Sequence, residues 1–160
     1  LRALIYAFLW LLIRNFYIFL FTLESIMAKI EYPTPEEIIE FNKLILKEIK
    51  VKKADKPELL SYKALVESIN ACEKAEGDIY DKATCLLKNL IQKHPFASGN
   101  RRTAFAVTER FLMDNDSKLR ISNDTTNAKT LKGIREGYYS DEEIKNWLKT
   151  GRIREFKRWA

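Results

Sequence analysis

At 160 residues the chain is long enough for one domain with a real core. Only five glycines and four prolines disfavour a turn-rich β architecture. The formal charge of +6 suits an anionic cofactor or an acidic partner; no aromatic–basic interleaving or helix-turn-helix pattern accompanies it, so direct nucleic-acid binding is not expected.

Residues 1–26 differ from the rest. Ala3 to Ile13 is an unbroken apolar run and Phe16 to Leu23 is nearly another, with Arg14 and Asn15 between them. Together they reach the length of about 20 residues that spans a bilayer. Arg14 near the middle would cost roughly 2.5–3.5 kcal/mol on insertion. No small-residue cleavage site follows, which disfavours a signal peptide. Two readings stand: an upstream translated extension, since Met27-Ala28-Lys29 reads like a natural start, or a membrane anchor. In both, 1–26 is an extra hydrophobic helix and 27–160 is the folded domain. The location expected is cytoplasmic, or membrane-anchored if 1–26 is a genuine anchor.

Thr34-Pro35-Glu36-Glu37 is a helix start with a capping box, and Ile38, Phe41, Leu44, Ile45 and Ile49 follow at helical spacing. Lys50 to Lys56 reads as a solvated basic loop. A second helix is predicted from Pro57 to about Ala75, with Leu65, Ile69 and Cys72 on one face, broken by Gly77-Asp78. The third spans about Ile79 to Lys93, with Ala83, Leu86, Leu87, Leu90 and Ile91 inward, and its end delivers His94. Pro95 opposes continuation. The fourth spans about Asn100 to Met113, with Ala104, Phe105, Thr108, Phe111 and Leu112 buried. Asn115-Asp116-Ser117 ends it, and Lys118 to Ser122 is a candidate extended segment. A fifth helix is expected from Thr126 to Glu136. A sixth opens on the capping box Ser140-Asp141-Glu142-Glu143 and stops before Gly151. Arg152 to Arg158 is a basic tail interleaved with Ile153, Phe156 and Trp159, either solvated and partly docked or a partner-binding surface. Cys72 and Cys85 fall on apolar helical faces and read as buried thiols. With one histidine at these spacings they make no zinc site. The pattern as a whole predicts an all-α bundle.

The chemistry concentrates in His94-Pro95-Phe96-Ala97-Ser98-Gly99-Asn100-Arg101-Arg102-Thr103-Ala104-Phe105, which holds the only histidine. Its second half is a predicted helix start, where unpartnered N–H groups and the helix dipole favour anions. Gly99 can take a positive φ and admit a phosphate to the backbone. Asn100 has an amide to hold a phosphate or help place a metal, and Arg102 offers a planar fork for phosphate oxygens. His94 titrates near neutrality and can take a proton from a hydroxyl. Phe96 reads as a core anchor for the loop. One at a time these residues would be a structural histidine and surface arginines; their grouping at one loop-to-helix junction favours a nucleotide site.

The same residues resemble the Fic/Doc family, whose pattern is His-x-Phe-x-(Asp/Glu)-Gly-Asn-x-Arg. Arg101-Arg102-Thr103-Ala104 is similar to the Lys-Arg-Thr-Ala of the Doc (death-on-curing) branch. The Fic branch would carry glycine at 101 and arginine at 105, where this chain has Arg101 and Phe105. The resemblance implies a compact Fic/Doc-like helical bundle and a Doc-like toxin of a toxin–antitoxin system. Such a toxin is a protein Ser/Thr phosphotransferase using ATP or another nucleoside triphosphate with Mg²⁺. His94 and Arg102 would be catalytic, and Ser98, Gly99, Asn100, Arg101 and Arg102 would bind the cofactor. The implied substrate is a translation elongation factor, since Doc-like toxins phosphorylate a threonine of elongation factor Tu. The family's metal-holding acid falls at Ser98, a neutral and weaker ligand, which leaves the metal site and the activity open to impairment. The alternatives are a Fic-like AMP transferase and a non-catalytic binding module. No serine or threonine is followed four residues later by glutamate. The internal Ser/Thr-x-x-x-Glu restraint of some Fic proteins is therefore missing, and a small antitoxin protein is the expected restraint.

Overall fold

A computed structural model describes residues 10, 13–18, 29–48, 55–122 and 126–157. By internal contacts the chain divides into Leu1–Ile30 and Glu31–Ala160. In the first unit residues 13–18 are helical, and the Arg14 guanidinium lies 5.4 Å from the centre of the Trp10 ring. No helix among the described residues is long and apolar enough to cross a membrane. Most of 1–26 lies outside those residues, and the anchor reading with it.

The second unit is all-α. Its helices are α1 (Pro35–Glu48), α2 (Tyr62–Lys74), α3 (Ile79–Lys93), α4 (Asn100–Asp114), α5 (Thr126–Arg135) and α6 (Asp141–Thr150). Among the described residues the only β pairing is an isolated antiparallel bridge between Leu59 and Phe96. The hub is α3, which packs against α2, α4, α5 and α6, while α1 lies on α2 and α4. Its sequence explains the position. Ala83, Thr84, Leu86, Leu87, Leu90 and Ile91 cover a wide apolar arc, and all six are buried. Asp78 and Asp81 form a reciprocal capping box at its start.

Three boundaries or faces differ from the sequence expectation. First, α2 begins at Tyr62, capped by Ser61, and not at Pro57. Residues 58–61 use their backbone elsewhere. The Leu60 and Ser61 N–H groups donate to Pro95 O (2.8 and 3.2 Å), and Ala97 N–H donates to Glu58 O (2.9 Å). Second, α1 buries Ile38, Asn42 and Leu46, while Leu44 is exposed. A polar residue sits on the buried stripe because Asn42 has partners there: its Nδ2 donates to Ser98 O (2.9 Å) and Thr103 Oγ1 (3.0 Å). Third, Lys118–Ser122 forms no strand; its Arg120 N–H donates to Leu148 O at 3.1 Å.

The capping boxes at Thr34/Glu37 and Ser140/Glu143 both form. Phe105 is half-buried against Trp147, with ring centres 6.1 Å apart. Part of the basic tail docks on the α5–α6 corner. Arg154 pairs with Glu143 and stacks 3.9 Å over the Tyr138 ring, and Phe156 meets Tyr138 edge-on. Gly133 makes room inside α5, since a Cβ there would sit 2.5 Å from the Tyr139 ring. Arg158 and Trp159 lie outside the described residues, as do Ile49 and residues 50–54 of the predicted basic loop. Cys72 and Cys85 are free thiols, the first buried and the second half-buried; burial pushes Cys72 up to about 12.

Candidate active site

The α3–α4 junction turns because His94 ends α3 in the left-handed region (φ 48, ψ 58). Only a few per cent of non-glycine residues adopt such a φ, at a cost on the order of 1–2 kcal/mol. Pro95 removes the helical alternative at residue 94. Phe96 then drops into the core at 3% exposure, as expected of an anchor. Gly99 starts α4, again left-handed (φ 79). Its missing Cβ serves packing as much as ligand access: a Cβ would lie 2.9 Å from Leu46 Cδ2 and 3.1 Å from Asn42 Nδ2. So α1 presses on the turn from behind while the turn's other side lines a cleft.

The cleft has a volume of about 370 Å³. The junction contributes His94, Ser98, Gly99, Asn100, Arg101 and Arg102, so every sequence-predicted site residue reaches it. The segment before α2 adds Asp55, and α5 adds Ala128, Leu131 and Arg135. The first-turn N–H groups of α4 have no intrahelical acceptor, which makes this end of the cleft receptive to anions.

The Asn100 amide is engaged within the loop. Its Oδ1 accepts from Phe96 N–H (2.9 Å), and its Nδ2 donates to Phe96 O (2.6 Å) and to His94 Nδ1 (3.0 Å). The amide is spent holding the loop and the imidazole. With Oδ1 taken by an N–H donor, Nδ2 faces His94 as a donor. His94 Nδ1 therefore accepts, and the neutral ring carries its hydrogen on Nε2. Nε2 is buried with no partner among the described residues.

Burial, then the charges of Arg135 and Arg101, lower the His94 pKa below the ordinary histidine value. The ring is neutral at pH 7, the state a base requires. There is a consequence for stability. An unfolded chain takes up a proton near pH 6.5 that the native ring refuses, so stability is full above about pH 6.5 and falls as pH drops through that value towards the folded pKa. Thermal melting points should decline as pH falls below about 6.5, ahead of carboxylate titration. His94→Gln should remove that component, because no other histidine is present.

Arg102 does not face the cleft alone. Its Nη2 sits 2.8 Å from Asp55 Oδ2, and the Asp55 side chain is only 8% exposed. The segment that carries Asp55 leads directly into the backbone pairing of 58–61 with 95–97. Sequence reading placed Asp55 inside a solvated basic loop; it is instead the acidic wall of the site. A single acid among lysines ahead of Pro57 gave little warning. Asn42 was more legible, as a polar residue on an apolar stripe four residues from both Ile38 and Leu46.

The donor set does not build a resident divalent-cation site. Ser98 offers a hydroxyl, Asn100 is committed to the loop, and the cleft's carboxylate, Asp55, is paired with Arg102. No three His, Cys, Asp or Glu side chains among the described residues gather to hold a metal ion. The expected Mg²⁺ role of Ser98 thus has no carboxylate support from this wall.

A histidine, three guanidiniums and a helix N-terminus thus line one cleft of a helical protein, a set suited to phosphate groups. The Fic/DOC family model matches residues 32–112, just over half of the chain, running from before α1 into the last turn of α4. The chain belongs to the Fic/DOC family, whose members transfer nucleotidyl or phosphoryl groups and generally use nucleoside triphosphates. No curated protein matches it.

Proposed function

We propose that this protein transfers the γ-phosphoryl group of ATP or another nucleoside triphosphate to a protein hydroxyl, as a Doc-like toxin. The observation that carries this reading is Arg101. The Fic branch leaves this position open with glycine; here a long cation lines the same cleft as His94. A guanidinium there fills space beside the α4 N-terminus and binds a phosphate itself, which displaces or reverses the nucleotide and aims the γ-phosphorus at the acceptor. His94 is the general base, Arg102 neutralises charge on the transferring or leaving phosphates, and the α4 N-terminus with Gly99 cradles them. Base action at Nε2 requires the other tautomer, with hydrogen on Nδ1, so the contact between His94 Nδ1 and Asn100 Nδ2 must be given up when substrate binds. Catalytic hydrogen bonds are often poorly aligned without substrate and tighten only in the reactive complex. The substrate is a translation factor in the cytoplasm, and a small antitoxin protein supplies the restraint.

The test is incubation with cell lysate and ATP labelled on the α- or the γ-phosphate. Retention of γ-label on an acceptor protein is the expected result. Retention of α-label alone would replace this reading with AMP transfer. No transfer of either label would favour a non-catalytic binding module, the reading that Ser98 and the paired state of Asp55 support.

A further inference from the structure

We propose that Arg135 of α5 is a phosphate-binding residue of this cleft, acting with Arg101 on the polyphosphate of the bound nucleotide. The inference rests on the nucleotide reading above and extends it to a residue outside the family-matched segment.

Three arginines line the cleft, and they are not equivalent. Arg102 is engaged by Asp55 at 2.8 Å, and Asp55 is the one acidic lining residue among the described residues. The cleft's positive charge that no lining carboxylate matches therefore lies on Arg101 and Arg135. Arg101 comes from the first turn of α4. Arg135 comes from the opposite wall, at the end of α5. Its placement follows from helical spacing: Ala128, Leu131 and Arg135 stand at i, i+3 and i+7 on one face of α5, and that face lines the cleft. Lys132, the other cation of the same last turn, does not line it. The side chain of Arg135 is exposed and accessible to a ligand. Both Arg135 and Arg101 are near enough to His94 to lower its pKa, which puts their charge around the imidazole where the transferring phosphate must lie. A triphosphate carries more negative charge than one guanidinium fork can match, and Ser98 contributes no charge of its own. A pair of forks from two helices would grip it from both sides.

A cation in the last turn also complements the helix dipole. That role alone would leave ligand binding untouched, and it sets the control. Calorimetry on the full chain would compare wild type, Arg135→Gln and Lys132→Gln, each with ATP and with inorganic tripolyphosphate. Both substitutions remove one charge from the same helical turn. Arg135→Gln should weaken both ligands about tenfold, the loss of one charge-assisted hydrogen bond, and Lys132→Gln should stay within about twofold, while both variants melt close to wild type. Equal affinities for the two variants would overturn the proposal. If wild type binds tripolyphosphate but not ATP, the nucleotide reading falls, and a tenfold loss of tripolyphosphate in Arg135→Gln still supports Arg135. Binding of neither ligand by wild type would overturn both.

Discussion

His94→Ala is expected to lower γ-phosphoryl transfer by about 10²–10⁴-fold, the usual worth of a positioned general base. Burial and two guanidinium charges keep the imidazole neutral, and Asn100 Nδ2 fixes the ring from the side of Nδ1 at 3.0 Å. Alanine removes the proton acceptor but leaves Arg101, Arg102, Arg135 and the α4 N-terminus in place. Nucleotide affinity should therefore change far less than rate. Single-turnover transfer with γ-labelled ATP, set beside calorimetric affinity, separates the two. A variant that transfers within tenfold of wild type would remove His94 from the base role.

Phe96→Ala should cost about 3–5 kcal/mol of unfolding free energy, the range for deleting a buried aromatic ring. The ring is 3% exposed. Its backbone pairs with Asn100, which alanine would keep. The loss therefore isolates ring burial from loop hydrogen bonding. Phe96→Leu fills part of the cavity and should recover most of the loss. Urea unfolding of the three proteins reads this directly. A loss below about 1 kcal/mol for alanine would mean that the ring does not anchor the loop.

Much of the site is legible in the sequence. The bounds of α3, and those of α4 to within a residue, could be read because strong apolar stripes end at residues that stop helices: Gly77-Asp78, Pro95 and the Asn115 cluster. The motif residues were found because they are contiguous, so chain connectivity alone places them together. What escaped was everything brought in from a distance. The start of α2 was misplaced because residues 58–61 prefer pairing with 95–97, a tertiary choice that local propensity does not encode. Asp55 reads as part of a solvated basic loop because its partner, Arg102, lies on another element. Leu44 follows helical spacing yet is exposed, since α1 touches its neighbours through a strip centred on Asn42. The contacts of Asn100 with Phe96 and His94 are not legible in the sequence, because an amide's donors and acceptor can be assigned only once their partners are known.

The pairing of 58–61 with 95–97 also shapes how the site can move. Helices α2 and α3 fill the chain between those two stretches, so the three backbone bonds clasp a closed loop around a packed helix pair. Displacing the reactive loop from the segment ahead of α2 must break these bonds and expose Phe96 together. Opening on that side is then a cooperative, sub-global event rather than a swing about a hinge, and the amides of Leu60, Ser61 and Ala97 exchange with solvent as one group.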